Sequence, residues 1–378
     1  MKKIKVFLRL GKRPHPGYYV LIDSPPKGVD YKYEKILRSN IEKASLLHKL
    51  KVKLWKLSLK MNRPPIIKID PRGCQLIHST NNIMNSGKTP WVMDVEHLEG
   101  LFGMNRANLE NKRYFSRINK TLSSKFCKKL MPHTIASKLS LINGGFKHLE
   151  SKMEVVYPAK KVIPDFKKKY NKIPVILWIG RRFFEKGGKT VLHVFDKLDG
   201  KVDFELIIKG PVPEELKEKY KGKKNIKFLD TEDYISYGWK KLYEKADILL
   251  YPTNLDSLGN SFFDAMNHKI PIVTGDVFSA PEIVEDGVNG FVINHPMKWH
   301  DENFQPIYDV GKYVEKLDGF YDEDYVNALA EKVEILIKNK NLREKMGEAG
   351  YNEISKGKFS IERKNKQLEK IYREAIKG

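Results

Sequence analysis

Apolar runs of strand length alternate with segments of helical spacing along most of the chain. Residues 4–8 and 18–22 are apolar runs flanked by Gly/Pro turns, and each predicts a strand. Residues 75–79 and 90–95 predict two more, and helical periodicity marks 107–126 and 135–142. Residues 154–158 predict a last strand, leading into a Lys- and Pro-rich linker at 158–174. The pattern is cleaner beyond the linker. Residues 174–180 are almost continuously apolar, as in a parallel strand covered on both faces. Strands at 204–208, 225–229, 247–251, 271–274 and 290–293 alternate with helices at 191–198, 240–245 and 262–267. Such alternation predicts an α/β fold with doubly wound parallel sheets, whose ligands bind beyond the C-terminal strand ends. Residues 296–321 show little periodicity and predict a loop, and 322–376 predict a charged helical tail.

The length of 378 residues and the linker together predict two domains, 1–165 and 166–359. Lys and Arg outnumber Asp and Glu by 70 to 47, a net charge of +23, which suits polyanionic partners. The Lys are spread along the whole chain, so solvated surface explains much of the excess. Cys74 and Cys127 lie far apart, which disfavours a disulfide framework or a structural zinc site and fits a reducing cytosol. No stretch approaches the ~20 apolar residues of a membrane span. These features predict a cytoplasmic protein that is free to lie peripherally on a membrane.

Three stretches carry candidate chemistry. Gly180-Arg181-Arg182-Phe183-Phe184-Glu185-Lys186-Gly187 leaves a buried strand and opens into a helix, presenting backbone N–H groups and two cations to an anion. A strand-to-helix turn with two solvated cations fits it equally well. The neighbouring Gly188-Lys189-Thr190 has the ending of a P-loop, but the pattern requires Gly where Phe183 stands. Next, Asp256-Ser257-Leu258-Gly259-Asn260-Ser261 precedes a helix that carries Asp264, eight residues after Asp256. The amides near 258–261 are expected to point outward at the helix start. A capping pair of Ser261 with Asp264 fits the same residues. The third stretch, Ala280-Pro281-Glu282 and Asp286-Gly287-Val288-Asn289-Gly290, reads as turn chemistry alone.

Taken in order, these segments resemble the retaining glycosyltransferases of family 4, which have the GT-B fold: two Rossmann-like domains facing a central cleft. The resemblance covers most of 172–295, and Phe359-Ser360…Tyr372 looks like the family's final helix, about 360–378, which packs back on the N-terminal domain. It implies that Arg181 and Lys186 neutralise the diphosphate of a nucleoside-diphosphate-sugar donor. It also implies that Asp256 holds donor-sugar hydroxyls, that Ser257, Leu258, Gly259 and Asn260 form the loop approaching sugar and phosphate, and that Asp264 binds the ribose. Both acids are Asp where the family has Glu. The N-terminal half lacks the family's early Gly-Gly loop; Gly11 and Gly17 are the nearest substitutes. No metal and no cofactor are expected, because cations and helix ends can supply the charge.

On the acceptor side, Asp94, Glu96 and His97 end a predicted strand and are the candidate catalytic groups beside Asp256. The acceptor is expected to be a glycan, a glycolipid or a small molecule. Residues 46–61 place Lys49, Lys53, Lys56 and Lys60 in one stripe beside a broad apolar face; a membrane-surface helix, an ordinary domain helix and a strand all fit. The rivals on the same fold are a sugar-nucleotide epimerase and a phosphorylase, the latter betrayed by pyridoxal absorbance. A basic nucleic-acid binder lacks any recognition signature here, so no nucleic-acid partner is expected. A non-catalytic family member is the remaining alternative.

Overall fold

A computed structural model of the protein describes residues 3–11, 14–36, 64–80, 82–229 and 238–377. The amphipathic stretch 46–61 lies outside the described residues. The chain divides into two compact units: Met1–Lys161 with Asp301–Val310 and Phe359–Gly378, and Val162–His300 with Gly311–Lys358.

The strands of unit 1 are β1 (Ile4–Arg9), β2 (Val29–Tyr33), β3 (Ile66–Ile67), β4 (Leu76–Ser79), β5 (Met84–Asn85), β6 (Trp91–Val95) and β7 (Cys127–Pro132). Five of them form a parallel sheet in the order β2-β1-β4-β6-β7, and β3 pairs with β5 apart from it. Alternate residues face opposite sides of a strand. Phe7, Ile77, Met93 and Val95 therefore join one apolar core, while Val6, Leu8, Leu76 and Val92 join another. The second core is covered by the helix Ile361–Lys377, whose Leu368, Ile371, Tyr372 and Ala375 are buried at helical spacing. Full burial of Leu368 and Ile371 contributes roughly 1.5–3 kcal/mol each.

Unit 2 carries β8 (Val175–Ile179), β9 (Glu205–Lys209), β10 (Ile226–Leu229), β11 (Ile248–Tyr251), β12 (Ile272–Gly275) and β13 (Gly290–Ile293). All six are parallel, in the order β10-β9-β8-β11-β12-β13. Every residue of β8, β11 and β12 is buried, which is why these strands read as continuous apolar runs.

Three sequence expectations give way. Residues 18–22 are helical, Pro16–Tyr18 running into Tyr19–Asp23, because Tyr18 and Leu21, three apart, are the residues that reach the core. Residues 154–158 add no strand. The amides of Glu154 and Val156 bond Leu130 O and Pro132 O on the edge of β7, but the next rung needs an N–H that Pro132 lacks. Residues 296–321 are not all loop: Val310–Leu317 is a helix that buries Tyr313 and Leu317.

Candidate functional site

The strand order of unit 2 reverses between β8 and β11. The chain leaves β8 for β9 on one side and returns to β11 on the other. Two loops at this switch point, 180–187 after β8 and 252–259 after β11, each enter a helix, Gly188–Leu198 and Asn260–Asn267. In an open parallel sheet the crevice at the switch point is where ligands bind. Both helices are capped by a left-handed glycine, Gly187 (φ 72°) and Gly259 (φ 67°). A Cβ on Gly187 would lie 1.9 Å from Pro252 O, so the two loops touch as backbones at that point.

Lys186 and Asp256 join the loops. Lys186 Nζ donates to Asp256 Oδ2 and to Leu255 O, both at 2.7 Å. Asp256 Oδ1 accepts the amides of Leu258 (3.2 Å) and Gly259 (3.0 Å). Burial works to raise the Asp256 carboxyl. The Lys186 charge, its hydrogen bond and the two amides outweigh it and hold the group below its ordinary range. Of the outward amides expected at 258–261, those of Leu258 and Gly259 are turned inward and serve Asp256.

The other donor-side candidates line the same two loops or the helix beyond them. Arg181 is exposed, Asn260 is exposed, and Ser257 and Leu258 are half-buried. Ser257 O accepts from the buried Ser279 hydroxyl at 2.6 Å. Asp264 is half-buried, one turn inside the helix, and its carbonyl lies 2.7 Å from His268 Nδ1. The capping alternative for Ser261 and Asp264 does not hold, because the cap is Gly259 and Ser261 instead hydrogen-bonds Tyr251.

In unit 1 the three acceptor-side candidates part company. Asp94 lies on the face of β6 covered by the last helix. Its Oδ2 is 3.0 Å from His78 Nε2, and His78 Nδ1 is 2.6 Å from the Tyr372 hydroxyl, which meets that of Tyr31 at 2.8 Å. Burial works to raise the Asp94 carboxyl, and His78, His133 and Lys364 outweigh it and hold it low. Asp94 is therefore engaged in anchoring the C-terminal helix. His97 follows the strand and is buried, and burial, then His133, lowers its ring to about 4. The Glu96 carbonyl accepts a hydrogen bond from the Ser137 hydroxyl. The sequence reading passed over Glu99. Its carboxyl is buried with no hydrogen bond from the described residues, and burial and Asp309 push it up to about 7 against the pull of Arg106.

Among the described residues no three His, Cys, Asp or Glu side chains cluster as a metal site, and no helix is long and apolar enough to cross a membrane. Residues 160–302, the stretch that builds this switch point, match the sequence model of the family "Glycosyl transferases group 1". This stretch of the chain is similar to the group 1 glycosyltransferases.

The curated relatives that the chain matches share a limited stretch with it. The capsular polysaccharide biosynthesis glycosyltransferase CapM of Staphylococcus aureus is 27% identical over 135 residues, 36% of this chain and 28% of that protein. The matched stretch spans about a third or less of each curated relative. Among solved structures, a glycosyltransferase from Rickettsia africae superposes over 100% of both chains with a TM-score of 0.63 at 15% identity. HepE of Anabaena, solved with UDP and glucose, gives 0.59 at 14% identity over 97% of this chain and 98% of its own. At these identities the likeness establishes the GT-B fold, with its two Rossmann-like parallel-sheet units.

Behind the two switch-point loops stand residues that the motifs did not single out: Asn254, His295 and Tyr313. Asn254 sits two residues before Asp256, inside the motif's own turn. The other two follow the last strand, His295 two residues beyond it and Tyr313 in the helix Val310–Leu317.

Proposed function

We propose that the protein is a retaining glycosyltransferase of family 4 type, transferring a sugar from a nucleoside-diphosphate-sugar to an acceptor hydroxyl in glycan or glycolipid assembly. The observation that carries this reading is the Lys186–Asp256 bridge at the β8/β11 switch point, between two helix N-termini. A diphosphate placed there meets the Lys186 ammonium, the Arg181 guanidinium and the positive ends of two helices. The same groups stabilise the nucleoside diphosphate as it departs, which is the charge the transition state develops. Asp256, held ionised by Lys186 and its loop amides, accepts hydrogen bonds from donor-sugar hydroxyls, and Asp264 takes the ribose. Ser257, Leu258, Gly259 and Asn260 set how closely the sugar approaches.

The charge that a divalent cation supplies in other transferases comes here from these cations, so activity is expected to survive chelation. The solved neighbour HepE binds UDP and glucose, which supports a nucleotide-sugar donor for this fold. The acceptor side belongs to unit 1, where Glu96 and His97 are the proton-handling candidates that follow β6. Asp94 is engaged by His78, which links it to Tyr372 of the last helix.

A thermal-shift screen against UDP, GDP, ADP and their sugar conjugates tests the donor assignment. A melting-temperature rise with one of them, lost in Arg181→Ala, is expected. No shift with any of them in well-folded protein would refute it. The anomeric proton coupling of the product, read by NMR, tests retention.

A further inference from the structure

We infer that Asn254, with His295 and Tyr313 behind it, positions the Lys186–Asp256 pair for donor binding. The inference rests on the donor-site reading above and adds to it a supporting layer supplied largely by residues after β13. Asn254 is 2% exposed, His295 2% and Tyr313 0%.

Asn254 is the junction of the two loops. Its amide and that of Leu255 donate to Glu185 O at 2.9 and 3.0 Å, and its Nδ2 donates to Phe184 O at 2.7 Å. The carbonyls just before Lys186 therefore hang on Asn254, while Lys186 reaches back to Leu255 O and Asp256. The position of the ammonium is fixed from both ends of one short circuit.

His295 fixes which way Asn254 points. The Met297 amide donates to His295 Nδ1 at 3.1 Å, which places the ring proton on Nε2. Nε2–H then donates to Asn254 Oδ1 at 2.7 Å, leaving Nδ2 to face Phe184 O. Burial pushes the His295 ring down to about 4, against the nearby Asp276 carboxylate, so the neutral form is the working one. The ring is stacked on Phe320 at 5.4 Å and tilted against Tyr325 at 4.8 Å. Below it, Asp276 accepts the His295 amide at 2.7 Å and pairs with Lys298 at 2.6 Å. Tyr313 completes the layer, its hydroxyl 3.0 Å from Asn254 O and 2.8 Å from Met297 O.

The test compares His295→Leu, which removes the donor, with His295→Gln, whose Nε2–H can replace it. Hydrogen exchange by mass spectrometry is read on the unliganded full chain in peptides covering 181–188 and 252–259. Exchange about tenfold faster in His295→Leu, restored in His295→Gln, is expected. Wild-type exchange in His295→Leu, or a Gln variant no better than Leu, overturns the positioning role. Asn254→Asp, which presents an acceptor to Phe184 O, serves if the Leu variant fails to fold. UDP titration separates the two claims. Wild-type binding weakened about tenfold in His295→Leu and restored in His295→Gln supports both. Wild type and Lys186→Ala that alike bind no nucleoside diphosphate overturn the donor reading, while exchange still decides the coupling.

Discussion

Replacing Lys186 with Met removes one ammonium and keeps the aliphatic stem, so it isolates the charge at the switch point. The two side chains of the pair are 20% and 17% exposed, and the bridge is 2.7 Å. Breaking a fully buried pair costs about 3–5 kcal/mol. Here the sites are partly wet and Asp256 keeps its two amide bonds, so the loss should be on the order of 2 kcal/mol. For a unit of this size that is a fall in melting temperature of roughly 4–8 °C. The pH dependence is the sharper readout. In the wild type the Asp256 carboxyl is depressed. Its contribution is fully present above the ordinary carboxylate range and is lost as pH falls through the folded value. Without Lys186, only the two loop amides oppose burial, so the carboxyl titrates higher than in the wild type and the variant lacks part of the stability that the ionised group gives at higher pH. The deficit of Lys186→Met against wild type is therefore smaller at pH 5 than at pH 8. Thermal melts of both proteins across that range check it. Equal deficits at the two ends, or none, would refute the claim that Asp256 is held ionised by Lys186.

Further outcomes follow from the same geometry. Gly259→Ala forces a Cβ to within 2.3 Å of the Phe262 ring at φ 67° and should cost about 1–3 kcal/mol in chemical denaturation. Asp256→Ala should reduce turnover more than Asp264→Asn in a donor-consumption assay; equal, negligible effects would make both acids structural. Glu99 titrates at about 7 against 4.5 when unfolded, so it erodes stability as pH rises between those values and not beyond. Glu99→Gln should abolish that slope and gain on the order of 2 kcal/mol at pH 8 relative to pH 5, read from denaturant midpoints.

Much of unit 2 was legible in the sequence because its strands are buried on both faces and announce themselves as apolar runs. The loops after β8 and β11 were legible for a related reason: small residues at Gly180, Gly187 and Gly259 break those runs where backbones must approach. Unit 1 was harder. β2 has only Val29 buried among its residues, so its charged Val29–Tyr33 carries no apolar run. Residues 18–22 have strand composition, but the burial of Tyr18 and Leu21 decides for a helix. The Asp94–His78–Tyr372 link joins residues up to 294 positions apart, and no local spacing can display such a contact. Asn254 and His295, 41 positions apart, escaped for the same reason. A sequence motif shows which loop approaches a ligand; the layer that holds the loop is assembled by the fold.

The proposed donor site binds a nucleoside diphosphate at the β8/β11 switch point through Arg181 and Lys186. Calorimetric titration of wild type, Arg181→Ala and Lys186→Ala with UDP and GDP tests it most directly. A saturable one-site isotherm is expected for one nucleotide with wild type, weakened at least about tenfold in each variant. A nucleotide bound by wild type and both variants with the same affinity would contradict it.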